Sequence, residues 1–219
     1  MIKLFKKAIC LVVLIGCSAS HAGSFDDFFA AIQRDNAGSI QSLLQRGFDG
    51  NTTDAQGRSG LYLALKSENF KAAHALLAWP KIKAETRTSQ DESPLMIAAL
   101  TGELDLCTQL IAKGADVNKT GWTPLHYAAT RGHLDVIRLL LDNYAYIDAA
   151  SPNGSTPLMM AAQYGSDAAV KLLLDEGADP LLKNQKSLTA IDFAQKANRT
   201  ATVEMVSAAV RARTPKGIW

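Results

Sequence analysis

Cysteine is nearly absent from the working part of this chain. Of its three cysteines, Cys10 and Cys17 fall in an apolar N-terminal segment and Cys107 stands alone in the remainder. One cysteine cannot close an intrachain disulfide, so the fold has to stand on packing. Cys107, beside Leu106, reads as a small buried hydrophobe, the usual state of a free cysteine; a redox-active thiol is the alternative. Histidine is scarce too: His21, His74, His126 and His133 offer no pair at zinc-ligand spacing. No glycine-rich phosphate loop is present, and Gly57-Arg58-Ser59-Gly60 is no nucleophile elbow because no strand precedes it. The chain is therefore expected to hold no metal and no cofactor and not to be an enzyme. A hydrolase or thiol enzyme on a non-catalytic scaffold stays as an alternative.

Long apolar runs are lacking outside one place. Lys3, Lys6 and Lys7 precede the uncharged run Ala8-Ile9-Cys10-Leu11-Val12-Val13-Leu14-Ile15-Gly16, and Ser18-Ala19-Ser20-His21-Ala22 follows with small residues at the cleavage-site spacing. The pattern predicts a secretory signal peptide over 1–22, cut after Ala22, and a periplasmic mature protein. The run is too short to span a bilayer, and no later run is long enough, so no transmembrane segment is expected in the mature chain. Leu14-Ile15-Gly16-Cys17 also resembles a lipobox, which makes an envelope lipoprotein anchored through Cys17 the alternative. Cleavage after Ala22 removes three lysines and no acids, so the formal charge moves from +2 to −1. That balance excludes nucleic-acid binding by electrostatics.

What the chain has is self-similarity. Gly121-Trp122-Thr123-Pro124-Leu125-His126-Tyr127-Ala128-Ala129 returns as Gly154-Ser155-Thr156-Pro157-Leu158-Met159-Met160-Ala161-Ala162, and earlier as Glu92-Ser93-Pro94-Leu95-Met96-Ile97-Ala98-Ala99. Asp26, Ser59, Ser93, Thr123, Thr156 and Thr189 share one column, with gaps of 33, 34, 30, 33 and 33 residues. Thr123 and Thr156 suit a helix N-cap, the hydroxyl accepting from a backbone N–H of the first turn. Pro124 and Pro157 suit the next position, where no donor is needed. Leu125, Ala128 and Ala129 give a packed first helix, which Gly132 ends, as Gly165 does one unit on. Leu134, Ile137, Leu140 and Leu141 supply the apolar face of a second helix. Gly114 and Gly177 follow second helices, where a left-handed residue is expected. Tyr144 stands at the equivalent place in the fourth unit, so the turn there is expected to shift and give Asn143 the unusual conformation.

A Thr-Pro-Leu-His-x-Ala core at this period resembles the ankyrin repeat, and over nearly its whole mature length the chain is similar to ankyrin-repeat proteins, here read as an exported bacterial family. The resemblance implies an all-α solenoid of about six helix–turn–helix units at 24–56, 57–90, 91–120, 121–153, 154–186 and 187–212. Together they make a repeat domain over 23–212, with 213–219 as a tail. It also implies that His126 and His133 are structural, bonding to neighbouring turns. The implied function is binding another protein, by a chain expected to be monomeric. The implied contact surface is the hairpin tips and the outward positions of the first helices: Ile97, Leu100, Trp122, Tyr127, Arg131, Met160 and Tyr164. The third unit is three residues short between Asp116-Val117-Asn118 and Trp122, which predicts a clipped tip with Trp122 close to the groove.

Overall fold

A computed structural model describes residues 23–213; the leader with Cys17 and Ala22, and the tail beyond Arg213, lie outside the described residues. The described chain is all α, twelve helices with no strand. They are α1 (residues 23–33), α2 (Ala37–Gln45), α3 (Gly60–Lys66), α4 (Phe70–Leu77), α5 (Pro94–Thr101), α6 (Leu104–Ala112), α7 (Pro124–Arg131), α8 (Leu134–Asp142), α9 (Pro157–Tyr164), α10 (Asp167–Asp175), α11 (Ala190–Lys196) and α12 (Thr200–Arg213). Each consecutive pair is one repeat. Helices this short are marginal alone, and burial of one face supplies their stability.

The chain divides into two compact units, at 83/84. The first holds α1–α4, around Phe28, Ile32, Ile40, Leu61, Leu65, Leu76 and Leu77, all fully buried. The second holds α5–α12. There each first helix packs on its neighbours, α5 on α7, α7 on α9 and α9 on α11. The second helices repeat one buried triplet: Leu106, Cys107 and Leu110, then Val136, Ile137 and Leu140, then Ala169, Val170 and Leu173. The triplet is i, i+1, i+4, one stripe of a helix. Arg213 belongs to α12 rather than to the tail, and its guanidinium donates to the Gly177 carbonyl at 2.9 Å.

Within each unit two kinds of polar stitch tie neighbouring repeats together. At the start of second helices, a side chain reaches back to the carbonyl end of the preceding first helix. In the first unit Asn69 donates to the Ile32 carbonyl at 2.9 Å. In the second, His133 reaches the Leu100 carbonyl at 3.0 Å and Arg199 the Ala161 carbonyl at 2.7 Å. These bonds satisfy helix-end carbonyls that have no partner inside their own helix. At the turns after second helices, a side-chain oxygen accepts from a backbone N–H one repeat later. Asn51 takes Lys83 N–H at 2.8 Å, Glu85 takes Asp116 at 3.0 Å, Asn118 takes Tyr146 at 2.8 Å, and Asp148 takes Asp179 at 3.0 Å.

The turn after α8 departs from expectation. Asn143 keeps φ −99° and Tyr144 itself is left-handed, φ +63°, as Gly47, Gly114 and Gly177 are in their repeats. The reason is the hydrogen-bond pair that ends these helices. Tyr144 N–H donates to the Leu141 carbonyl and Ala145 N–H to the Leu140 carbonyl, both at 2.9 Å, matching the pair at Gly177 and Ala178. That pair requires positive φ at its first residue, and Asn118 pins the turn from both sides, donating to the Tyr144 carbonyl at 2.7 Å. The Tyr144 ring is 86% exposed and gains little contact in return. Tyr144→Gly should relieve about 1–2 kcal/mol of strain against about 0.5–1 kcal/mol of added chain entropy. The expected result is a melting temperature higher by about 1–4 °C; a lower one would mean that the exposed ring holds the fold.

Candidate partner-binding surface

The first helices of the third to fifth repeats start alike. Ser93, Thr123 and Thr156 take extended backbone at the N-cap and a proline follows each. Ser93 Oγ accepts from Met96 N–H at 3.3 Å and Thr156 Oγ1 from Met159 N–H at 3.4 Å. Thr123 does something else: its hydroxyl lies 2.8 Å from His126 Nδ1, and its backbone N–H donates to the same nitrogen at 3.2 Å. At this helix start the histidine ring completes a capping box with Thr123.

This common start fixes which residues share a face. Ile97, Tyr127 and Met160 are the fourth residues of α5, α7 and α9; Thr101, Arg131 and Tyr164 are the eighth, one helical turn on. Arg131 and Tyr164 are exposed, and Leu100, Trp122, Tyr127 and Met160 are part-exposed. Ile97 is only 1% exposed. Ile97 therefore belongs to the packed interior and drops out of the expected contact surface: at the register where α7 and α9 leave Tyr127 and Met160 open, α5 is covered. Burial raises the Tyr127 phenol to about 12, with the Glu92 carboxylate adding to the effect. The hydroxyl stays protonated and donates to Glu92 at 3.4 Å.

The clipped tip is closed by a lysine. Elsewhere a five-residue loop is held by a backbone bond and a side-chain acceptor: Asp54 with Arg58, Thr88 with Glu92, Ser151 with Ser155, Asn184 with Leu188. In the shortened repeat Lys119 Nζ donates to the Thr120 carbonyl at 2.9 Å and the Trp122 carbonyl at 3.0 Å, and pairs with Asp91. Beside it Trp122 packs edge-on against His126, centroids 5.2 Å apart. Met96, Trp122, Tyr127 and Pro152 line a cleft of about 400 Å³ with Asp91 and Lys119 at one side. The three-residue gap in the spacing signals this feature; the role of Lys119 has no local signature.

The two histidines are structural by geometry. His126 is fully buried and its Nε2 lies 2.9 Å from the Ser155 carbonyl, one repeat on. With Nδ1 accepting from Thr123 N–H, Nε2 carries the proton that Ser155 accepts. Burial lowers the imidazole to about 4, so it stays neutral near pH 7. His133 lies against Gly102, where any side chain would meet its ring at 2.5 Å. Gly132, Gly114 and Gly177 all have positive φ. Gly165 differs, with φ −82°.

Chemistry finds little foothold. Cys107 is fully buried, and burial pushes its thiol up to about 12, which leaves almost no thiolate near neutral pH. Among the described residues no group of three or more His, Cys, Asp or Glu side chains is placed to hold a metal ion. No described helix is long and apolar enough to cross a membrane.

The family model for ankyrin repeats in three copies matches residues 28–120 and 76–151, and that for the single ankyrin repeat matches 153–185. An ankyrin repeat domain from Acinetobacter baumannii is similar at a TM-score of 0.72 and 25% identity, over 84% of this chain and 97% of that one. A chain in the complex of a predatory endopeptidase with an immunity protein from Bdellovibrio bacteriovorus is similar at a TM-score of 0.71 and 28% identity, over 83% and 97%. Rat ankyrin repeat and SAM domain-containing protein 6 is 34% identical over 107 residues, 47% of this chain but 12% of that protein. The chain thus spans a small part of that relative's length.

Proposed function

The chain belongs to the ankyrin-repeat family, and from that premise we propose that it is an exported, non-enzymatic module that binds a partner protein across the third to fifth repeats. The fold is in general an interaction scaffold rather than a catalyst. The observation that carries the reading is one face of α7 and α9 with its neighbouring tip: Trp122, Tyr127 and Met160 part-exposed, Arg131 and Tyr164 exposed, around an apolar cleft. Aromatic, methionine and arginine side chains together are what partner-facing surfaces are enriched in. The likeness to a chain from an enzyme and immunity-protein complex favours, as a second reading, a partner of that class.

Capture from the periplasm tests this, with wild type, Trp122→Ala and the exposed pair Arg131→Glu/Tyr164→Ala, each checked for folding by circular dichroism. The folded variants should bind at least about 30-fold more weakly, the effect of losing one hot spot. Equal capture would move the partner off this face. Export has its own test, the N-terminal sequence of the mature protein. A start at Gly23 supports cleavage after Ala22. Labelled palmitate on Cys17 would replace it with the lipoprotein alternative.

A further inference from the structure

The tips of the third and fourth repeats share a network of five charged side chains whose signs are unevenly exposed. Arg87 pairs with Glu85, and with Asp91 and Asp116 at 3.0 Å each; Lys119 pairs with Asp91. Lys119 is the innermost, its side chain 6% exposed, with Glu85 at 24% and Arg87 at 29%, whereas Asp91 is 59% and Asp116 55% exposed. Three acids stand against two bases in this network, and Glu92, next to Asp91 in the chain and bonded by the Tyr127 hydroxyl at 3.4 Å, adds a fourth carboxylate beside it. The buried ammonium and part-buried guanidinium hold the tips together, and the Asp91 and Asp116 carboxylates are what a visitor meets. Solvent-facing charges dominate the approach field, because they act at the contact distance while the countercharges sit deeper.

This acidic edge borders the apolar cleft. Trp122 and Tyr127 offer ring surface and Pro152 a rigid wall, over a buried floor at Met96, whose Sδ accepts from Ser93 N–H at 3.4 Å. At about 400 Å³ the cleft has room for one large side chain. We infer that the cleft takes a large apolar side chain of a partner segment, flanked by lysine or arginine that pairs with Asp91 and Asp116. This rests on the reading that the third to fifth repeats bind a protein, and it names the chemistry of the bound segment. Asp91 is itself left-handed, φ +60°, at the tip that carries it; aspartate and asparagine tolerate that region better than most residues. Asp91→Asn therefore keeps the turn and removes the charge.

The test uses two defined probes, acetyl-Lys-Phe-Lys-amide and acetyl-Glu-Phe-Glu-amide, titrated into the mature protein while amide and indole resonances are followed by NMR. The lysine peptide should shift Gln90, Gly121 and the Trp122 indole saturably and bind at least tenfold more tightly than the glutamate peptide. The preference should weaken with added salt. Asp116→Asn, whose charge is peripheral to the fold, should lower it at least twofold, and Asp91→Asn further. Equal binding of both probes, shifts elsewhere on the surface, or no shift at all would overturn the inference. The broader reading fails separately: it falls if capture ignores Trp122, Arg131 and Tyr164. If capture depends on them but the bound segment is acidic or lacks a large apolar side chain, only the chemistry falls.

Discussion

His126→Ala should lower the unfolding free energy by about 3 kcal/mol or more, and the melting temperature by about 6–12 °C. The ring is fully buried and makes two tethers: Nδ1 to the start of its own helix at Thr123, and Nε2 to the Ser155 carbonyl in the next repeat. Alanine leaves the buried Thr123 N–H without its acceptor, takes one of two donors from the Ser155 carbonyl, which keeps Ser151 N–H at 2.9 Å, and opens a cavity beside Trp122. Urea and thermal unfolding of wild type and variant, followed by circular dichroism, would measure the loss. A loss under about 1 kcal/mol would mean that water or a shifted turn replaces the ring.

The same group sets an acid limit. Burial takes the imidazole from 6.5 to about 4 in the folded chain. A histidine depressed by folding binds its proton more readily when unfolded, so its contribution is complete above pH 6.5 and is lost as pH falls to about 4. The full loss across that window is about 3 kcal/mol. His126→Gln should flatten this part of the pH dependence and leave the carboxylate-driven part below it.

Gly165→Ala is expected to cost about 3 kcal/mol, the upper end of what overpacking does. A Cβ there would stand 2.3 Å from the Ala129 carbonyl oxygen and 2.9 Å from Ala161 Cα, both backbone atoms of packed helices. Neither can rotate aside as a side chain does. Gly177→Ala is the matching control: nothing lies within 4 Å, but φ is +101°. It should cost only about 1–2 kcal/mol, by conformation rather than collision. If the two variants unfold alike in urea, the steric account of Gly165 fails.

This pair shows where sequence stops. Gly132 and Gly165 stand at one register and both read as helix-ending glycines, yet only Gly132 is left-handed; the other is kept by a close approach that no local pattern announces. The repeat period and the proline starts were legible, and the second-helix face in part: Ile137 and Leu140 are buried as read, but Leu134 and Leu141 are part-exposed and Val136 completes the buried triplet. Tyr144 was harder. Its cost was foreseeable, but the pair of hydrogen bonds that holds it left-handed, and Asn118 pinning it from 26 residues away, are tertiary facts. Ile97 and Tyr127 occupy one register position with opposite exposure, since exposure depends on what packs above a residue. Lys119 was invisible for the same reason. The short spacing said that a tip was missing, not that an ammonium would stand in for it.

The side-chain stitches after the second helices bear on how such a chain can change length. Asn51 to Lys83, Glu85 to Asp116, Asn118 to Tyr146 and Asp148 to Asp179 span 32, 31, 28 and 31 residues. The span that shortens contains the clipped tip, while the stitch at either end survives. Insertions and deletions are thus absorbed at the tips, which can be cut or grafted while the turns stay in step. One residue added between Asn143 and Tyr146 would instead slide the Tyr146 N–H away from Asn118 and break that stitch, while the later span from Asp148 to Asp179 keeps its length. Loop grafting for altered recognition belongs at the tips, and the turns are the fixed frame against which those tips diversify.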